Sequence, residues 1–158
     1  MHRACILHVD DSEDDIFLME RAWRRVDSTV PIRSVKCGEE ALAHLSGHGA
    51  YGDRTQYPLP CLILLDIKMN GVSGFDVLRW IREQPELDDL VVIMLTSSTV
   101  PDDQKKAAEL GANSFVTKPG GLKDMAQFAR SIEDYWLTFH EFRWDSSCRS
   151  KTPKPIPA

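Results

Sequence analysis

Asp10-Asp11, Asp66 and Lys118-Pro119 are the positions of this chain best placed to do chemistry, because each directly follows a short apolar run. The runs are Cys5 to Val9, Cys61 to Leu65 and Ser114 to Thr117. Charged groups at the ends of parallel strands converge at the carboxyl edge of one sheet, where open α/β folds carry their active sites. Three carboxylates and one ammonium are a minimal set for Mg²⁺-assisted phosphoryl transfer. Mg²⁺ takes oxygen ligands in an octahedron and keeps several waters beside one or two carboxylates, so open positions would face a phosphoryl group. Asp66 is the candidate nucleophile, since a carboxylate accepts a phosphoryl group as a mixed anhydride, and Lys118 would neutralise charge on the equatorial oxygens. Thr96, just after the apolar run Val91 to Leu95, offers one hydroxyl to the same oxygens.

Positioning these groups requires strands that alternate with helices, and the sequence reads that way. Apolar runs of four to six residues alternate with stretches of helical spacing, the pattern of repeated βα units around a parallel sheet. Cys5 to Val9 predicts the first strand, and Ile16, Met19, Trp23 and Val26 mark one face of a helix that Ser12 would cap. Ile32 to Val35 is a weak second strand, followed after Gly38 by a helix carrying Ala41, Leu42 and Leu45. A long loop runs from Gly47 to Pro60, where it forms either a recognition surface or a tolerated insertion. Leu62 to Leu65 is continuously apolar, as a central strand covered on both faces must be, with Phe75, Leu78 and Ile81 on the next helix. Leu90 to Leu95 forms strand four. Pro101 then opens a helix that runs to Leu110 and stops at Gly111. Phe115 and Val116 lie in strand five, and a last helix runs from near Leu122 to Phe142.

Composition narrows the function. At 158 residues with 42% hydrophobic residues, the chain suits one core: a domain over 1–144 and an extended Pro- and Lys-rich tail over 145–158. A formal charge of −5 argues against an electrostatic grip on nucleic acid, which needs a clustered basic face. Cys5, Cys37, Cys61 and Cys148 lack metal-ligand spacing and the density of a secreted disulfide scaffold. No apolar run is long enough to span a bilayer, and a cytoplasmic protein without membrane or direct nucleic-acid contact is expected.

An acidic pair after strand one, Asp after strand three, Thr after strand four and Lys-Pro after strand five resemble the receiver domain of bacterial two-component response regulators. The resemblance spans about residues 4 to 135, on Asp10-Asp11, Asp66, Thr96 and Lys118-Pro119. It implies a flavodoxin-like (βα)5 doubly wound sheet with strand order 2-1-3-4-5. It also implies phosphorylation of Asp66 by a sensor histidine kinase or a histidine phosphotransfer protein. Mg²⁺ would be held by Asp10, Asp11, Asp66 and the Lys68 carbonyl, and the domain would hydrolyse its own acyl phosphate. Thr96 and Phe115 match the family's switch pair, and a cis peptide before Pro119 is expected. Lys68 and Ser98 are expected to flank the approach of attacking water. The long last helix and the insertion before strand three look like single-domain regulators paired with bacterial phytochromes. Tyr135-Trp136-Leu137, Phe139, Phe142 and Trp144 suggest a homodimer through that helix.

Other readings compete for several residues. Glu13, Asp14 and Asp15 are expected to favour the positive end of a helix dipole, with Ser12 and Asp15 resembling a capping box and no metal role. His8 is expected to be a hydrogen-bonded core histidine, and no histidine pair has zinc spacing. A haloacid-dehalogenase-like phosphatase shares the Asp nucleophile and Mg²⁺ but needs a second Asp two residues on, where Lys68 stands. A phosphorylation-independent adaptor is the remaining alternative.

Overall fold

The computed structural model describes residues 5–139. Five parallel strands form one sheet in the order β2-β1-β3-β4-β5. In chain order the elements are β1 (Ile6–Val9), α1 (Glu13–Val26), β2 (Ile32–Val35), α2 (Gly38–Ser46), β3 (Leu62–Leu65), α3 (Gly74–Arg82), β4 (Val91–Thr96), α4 (Pro101–Glu109), β5 (Ser114–Thr117) and α5 (Gly121–Ser131). The strand order implied by the resemblance is therefore the order found.

Alternation along the strands assigns the two faces. Leu7, Val9, Ile63, Leu65, Val92 and Met94 pack with Leu42, Leu45, Leu78, Ile81 and Ala107 under α2, α3 and α4. Ile6, Leu62, Leu64, Ile93 and Leu95 pack with Met19, Trp23, Val26, Met125 and Ala129 under α1 and α5. The four residues of α1 read as one helical face are all buried. Strands buried on both sides have no polar face to display, which is why β3 and β4 read as unbroken apolar runs.

The segment between α2 and β3 is folded rather than loose. Gly49–Gly52 makes a 3₁₀ turn. Arg54 then reaches back, its guanidinium donating to the carbonyls of His44 at 2.6 Å, Leu45 at 2.8 Å and Tyr57 at 3.2 Å. It thus serves carbonyls that the end of α2 leaves without helical partners. Tyr51, Tyr57 and His44 meet edge to face beside it.

The last helix departs from the expected single run. After Ser131 the chain widens into a π-helical stretch, Ile132–Phe139. Two side chains hold that wider turn: Thr138 Oγ1 donates to the Glu133 carbonyl at 2.8 Å, and Ser28 Oγ donates to the Glu133 carboxylate at 2.6 Å. Trp136 and Leu137 pack on the α1/α5 core, while Tyr135 stays 59% exposed with its ring edge-on to Trp136. The expected tail over 145–158, Phe142 and Trp144 lie outside the described residues.

Candidate functional site

The sheet register brings the separated acids together. Val9 lies opposite Leu65, and Leu65 opposite Met94, so Asp10 and Asp66 step off adjacent strands side by side. Backbone pairing extends just beyond the strands: the Asp66 N–H donates to the Val9 carbonyl at 3.0 Å, and the Lys118 N–H to the Thr96 carbonyl at 2.7 Å. Lys118 is thereby carried in line with β5 to the same edge.

α3 approaches that edge closely, and glycine is what permits it. Gly74 donates its N–H to the Ile67 carbonyl at 2.9 Å, and a Cβ at Gly74 would collide with the Asp66 carbonyl oxygen. Ser73 and Asp76 close a reciprocal capping box on the same turn. Gly74→Ala should therefore destabilise by roughly 1–3 kcal/mol through overpacking, although alanine favours a helix by about 1 kcal/mol. Thermal unfolding should show the loss, and metal binding should weaken as Asp66 is displaced. An unchanged or raised midpoint would refute the close approach.

Asp10, Asp11 and Asp66 each present a carboxylate oxygen within 4.8 Å of the others. Asp10 and Asp66 are buried and Asp11 is exposed, giving the cluster a closed floor and an open mouth. Asp10 Oδ1 accepts from the Ser12 N–H at 3.0 Å, while its Oδ2, also buried, is ion-paired with the Lys118 ammonium at 2.8 Å. That buried, negatively charged oxygen, beside two further carboxylates, suits a hard divalent cation. Lys68 lines a cleft of about 440 Å³ with Asp11, Asn70, Ser73, Phe75 and Asp103, and its side chain is exposed.

Lys118 Nζ lies 2.8 Å from Asp10 Oδ2, 2.8 Å from Asp15 Oδ2 and 3.2 Å from Asp66 Oδ2. Burial alone would lower the lysine pKa, but hydrogen bonding to Asp10 and Asp15, with the charges of Asp10 and Asp66, raises it well above the ordinary value. The Asp66 carboxyl is pushed up, first by burial and then by the charge of Asp10, against the pull of Lys118. Lys118 is thus an ammonium at neutral pH, while burial and the neighbouring Asp10 charge oppose ionisation of Asp66.

Thr96 is fully buried at the end of β4 and its Oγ1 accepts from the Ser98 N–H at 3.1 Å. Accepting leaves its own O–H free to donate. Ser98 is buried too and gives its hydroxyl hydrogen to Asp103 at 2.5 Å. Phe115 is partly buried against the α2–α3–α4 core.

Three expectations are corrected here. No cis peptide bond occurs among the described residues, so the peptide before Pro119 is trans. Trans is the lower-energy form even before proline, and Lys118 already reaches three carboxylates from it. His8 is buried as expected but is not hydrogen-bonded: Nδ1 has no partner and Nε2 stands 3.8 Å from Asp10 Oδ2. Burial, followed by the charge of Lys118, lowers its pKa to about 4, so it is neutral. Asp15, read as a helix-dipole acid, is part of the site. Ser12 Oγ does accept from its N–H at 3.3 Å, but its carboxylate turns to Lys118 instead of closing a capping box. The available signal was positional, since the first turn of α1 follows at once on the acidic pair.

Comparison with known proteins bears on the whole arrangement. Residues 6–130 match the response regulator receiver domain. The chain is 33% identical over 132 residues to the response regulator Rcp1 of Synechocystis sp., covering 84% of this chain and 88% of Rcp1. It is 34% identical, over 84% of this chain and 83% of the relative, to the probable methanogenesis regulatory protein FilR2 of Methanothrix harundinacea. Among solved structures it resembles the Mn²⁺-bound form of Rcp1, with a TM-score of 0.77 over 88% of this chain and 98% of the other at 33% identity. It also resembles the phosphorylated cyanobacterial phytochrome response regulator RcpA, with a TM-score of 0.82 over 90% and 99% at 30% identity. A sheet edge that gathers Asp10, Asp11, Asp66, Thr96 and Lys118, in a chain matched over residues 6–130, makes this protein a member of the response regulator receiver domain family.

Proposed function

We propose that this chain is a phosphorylation switch whose acceptor is Asp66, signalling through protein contacts. The observation that carries the reading is the pairing of buried Asp66 with Lys118 beside a carboxylate cluster suited to a divalent cation. An Asp66 carboxylate oxygen attacks phosphorus, an O–P bond forms, and the bond from phosphorus to the donor breaks. With a phosphohistidine donor, the departing imidazole nitrogen takes up a proton. Lys118 answers the charge on the equatorial oxygens, and Thr96 supplies its free O–H to one of them. Asp10, Asp11, Asp66 and the Lys68 carbonyl would hold the metal, Mg²⁺ in this reading, which when bound supplies charge neutralisation and orientation of the phosphoryl oxygens.

The donor would be a sensor histidine kinase or a histidine phosphotransfer protein, and the likeness to the cyanobacterial phytochrome response regulator RcpA favours a phytochrome-type kinase. Slow hydrolysis of its own acyl phosphate would be the only turnover, so the domain is a switch and not an enzyme acting on other substrates. Thr96 moving toward the phosphoryl group would open room for Phe115, which packs on the same face of the sheet. A homodimer through the last helix is supported by exposed Tyr135 beside Trp136. No helix among the described residues is long and apolar enough to cross a membrane; a cytoplasmic location is our reading, supported by the match to the receiver domain family.

Removing the metal tests the chemistry. Incorporation of phosphoryl from acetyl phosphate should need a divalent cation, fall to background in EDTA and return with excess Mg²⁺. Undiminished incorporation in EDTA would contradict the role given to the cluster.

A further inference from the structure

Asp15 lies against the site, yet the chemistry above gives it no task. It stands on the first turn of α1 with its side chain 35% exposed, and its amide is held by Ser12. A helix-dipole acid needs no partner and would point to water. The neighbouring Glu13 takes a surface partner instead, Lys36 at 2.7 Å. Asp15 turns inward to Lys118, at the same 2.8 Å as Asp10 and closer than Asp66 at 3.2 Å.

An ammonium has three N–H donors, and Lys118 has three carboxylates around it. Two of those, Asp10 and Asp66, belong to the cluster suited to a cation, whereas Asp15 does not. A cation entering the cluster would draw on the lone pairs of Asp10 and Asp66 and repel the ammonium. Transfer of a phosphoryl group would further remove the negative charge of the Asp66 carboxylate. Among the carboxylates on Lys118, only Asp15 keeps both its charge and its lone pairs throughout.

We infer that Asp15 is a positioning residue for Lys118. It anchors one N–H of the ammonium, so the lysine stays at the mouth of the site with its remaining donors aimed at Asp66 while the cation and phosphoryl group occupy the cluster. Without that anchor, Lys118 relies wholly on Asp10 and Asp66 and competes with the cation for them. The inference rests on the phosphoacceptor reading for its purpose but not for its measurement, which needs no phosphoryl group.

The test uses the whole chain, with Mg²⁺ binding followed by calorimetry and the Lys118 Nζ resonance followed by ¹⁵N NMR. Asp15→Asn should weaken Mg²⁺ binding roughly three- to tenfold, the scale of one partly exposed charge-assisted hydrogen bond. Asp14→Asn, which removes the same charge one residue away, should change it less than twofold. In a Lys118→Met background the Asp15→Asn effect should shrink to that of Asp14→Asn, because there is no ammonium left to park. The Nζ signal should survive Mg²⁺ addition in the wild type, vanish on Mg²⁺ addition in Asp15→Asn and return in Asp15→Glu. Equal Mg²⁺ affinities for Asp15→Asn and Asp14→Asn, or an Asp15→Asn effect undiminished by Lys118→Met, would overturn the inference. A phosphoryl adduct that persists in Asp66→Asn would instead refute the phosphoacceptor reading and leave these two readouts as they stand.

Discussion

Lys118→Met is expected to cost the metal-free protein about 3–5 kcal/mol of stability, the usual penalty for removing one partner from a buried ion pair. The substitution keeps the length and most of the apolar stem of the side chain, so lost packing is a minor part. What it leaves is Asp10 and Asp66, both buried, facing each other with no cation between them. The Asp66 carboxyl is already pushed upward by burial and by Asp10, with Lys118 alone among charged neighbours pulling it down. A divalent cation should stand in for the missing ammonium. The loss should therefore be large in EDTA, mostly recovered in millimolar Mg²⁺, and accompanied by tighter Mg²⁺ binding than in the wild type. Urea unfolding in the two buffers checks this, and a loss of equal size in both would show that Lys118 acts by packing.

The second large effect is a loss of stability on mild acidification. His44 is 1% exposed among Tyr51 and Tyr57, and neither ring nitrogen has a hydrogen-bond partner. Burial, then the charges of Arg54 and Arg33, hold its pKa down at about 4, against 6.5 ordinarily. The unfolded chain binds the proton below pH 6.5 and the folded chain only near pH 4, so stability is full above 6.5 and falls as pH drops through that window. The expected loss for His44 alone is about 2 kcal/mol by pH 5. His8 shifts in the same direction for the same first cause and adds to it. The raised Asp66 pKa works the other way, since there the folded state holds the proton more tightly. Urea midpoints at pH 7.5 and 5.0 should converge partway in His44→Leu. A midpoint shift as large in His44→Leu as in the wild type would show that His44 is charged or exposed in the folded protein.

How much of this could be read from the chain depended on whether a residue's place follows from the strand it ends. Asp10, Asp66, Thr96 and Lys118 were legible because each marks the end of an apolar run, and parallel strands in register bring their carboxyl ends to one edge. The faces of α1 and α3 were legible from helical periodicity. Asp15 was not, because Ser12 and an acid three residues on read as a capping box, and only the position of Lys118 in space shows where the carboxylate turns. The π-helical stretch escaped because it depends on Glu133 meeting Ser28 across more than a hundred residues of chain. The Gly47–Pro60 segment read as a loop because Arg54, which closes it onto α2, carries no periodic signal. His8 shows the limit of burial rules: an apolar strand correctly implied a buried histidine, but not one without a partner.

The central claim is that Asp66 accepts the phosphoryl group, and intact mass spectrometry after incubation with acetyl phosphate and Mg²⁺ tests it most directly. The wild type should gain one phosphoryl group and Asp66→Asn none, with both proteins folded by circular dichroism. An adduct of the same abundance in Asp66→Asn would place the acceptor elsewhere and contradict the account.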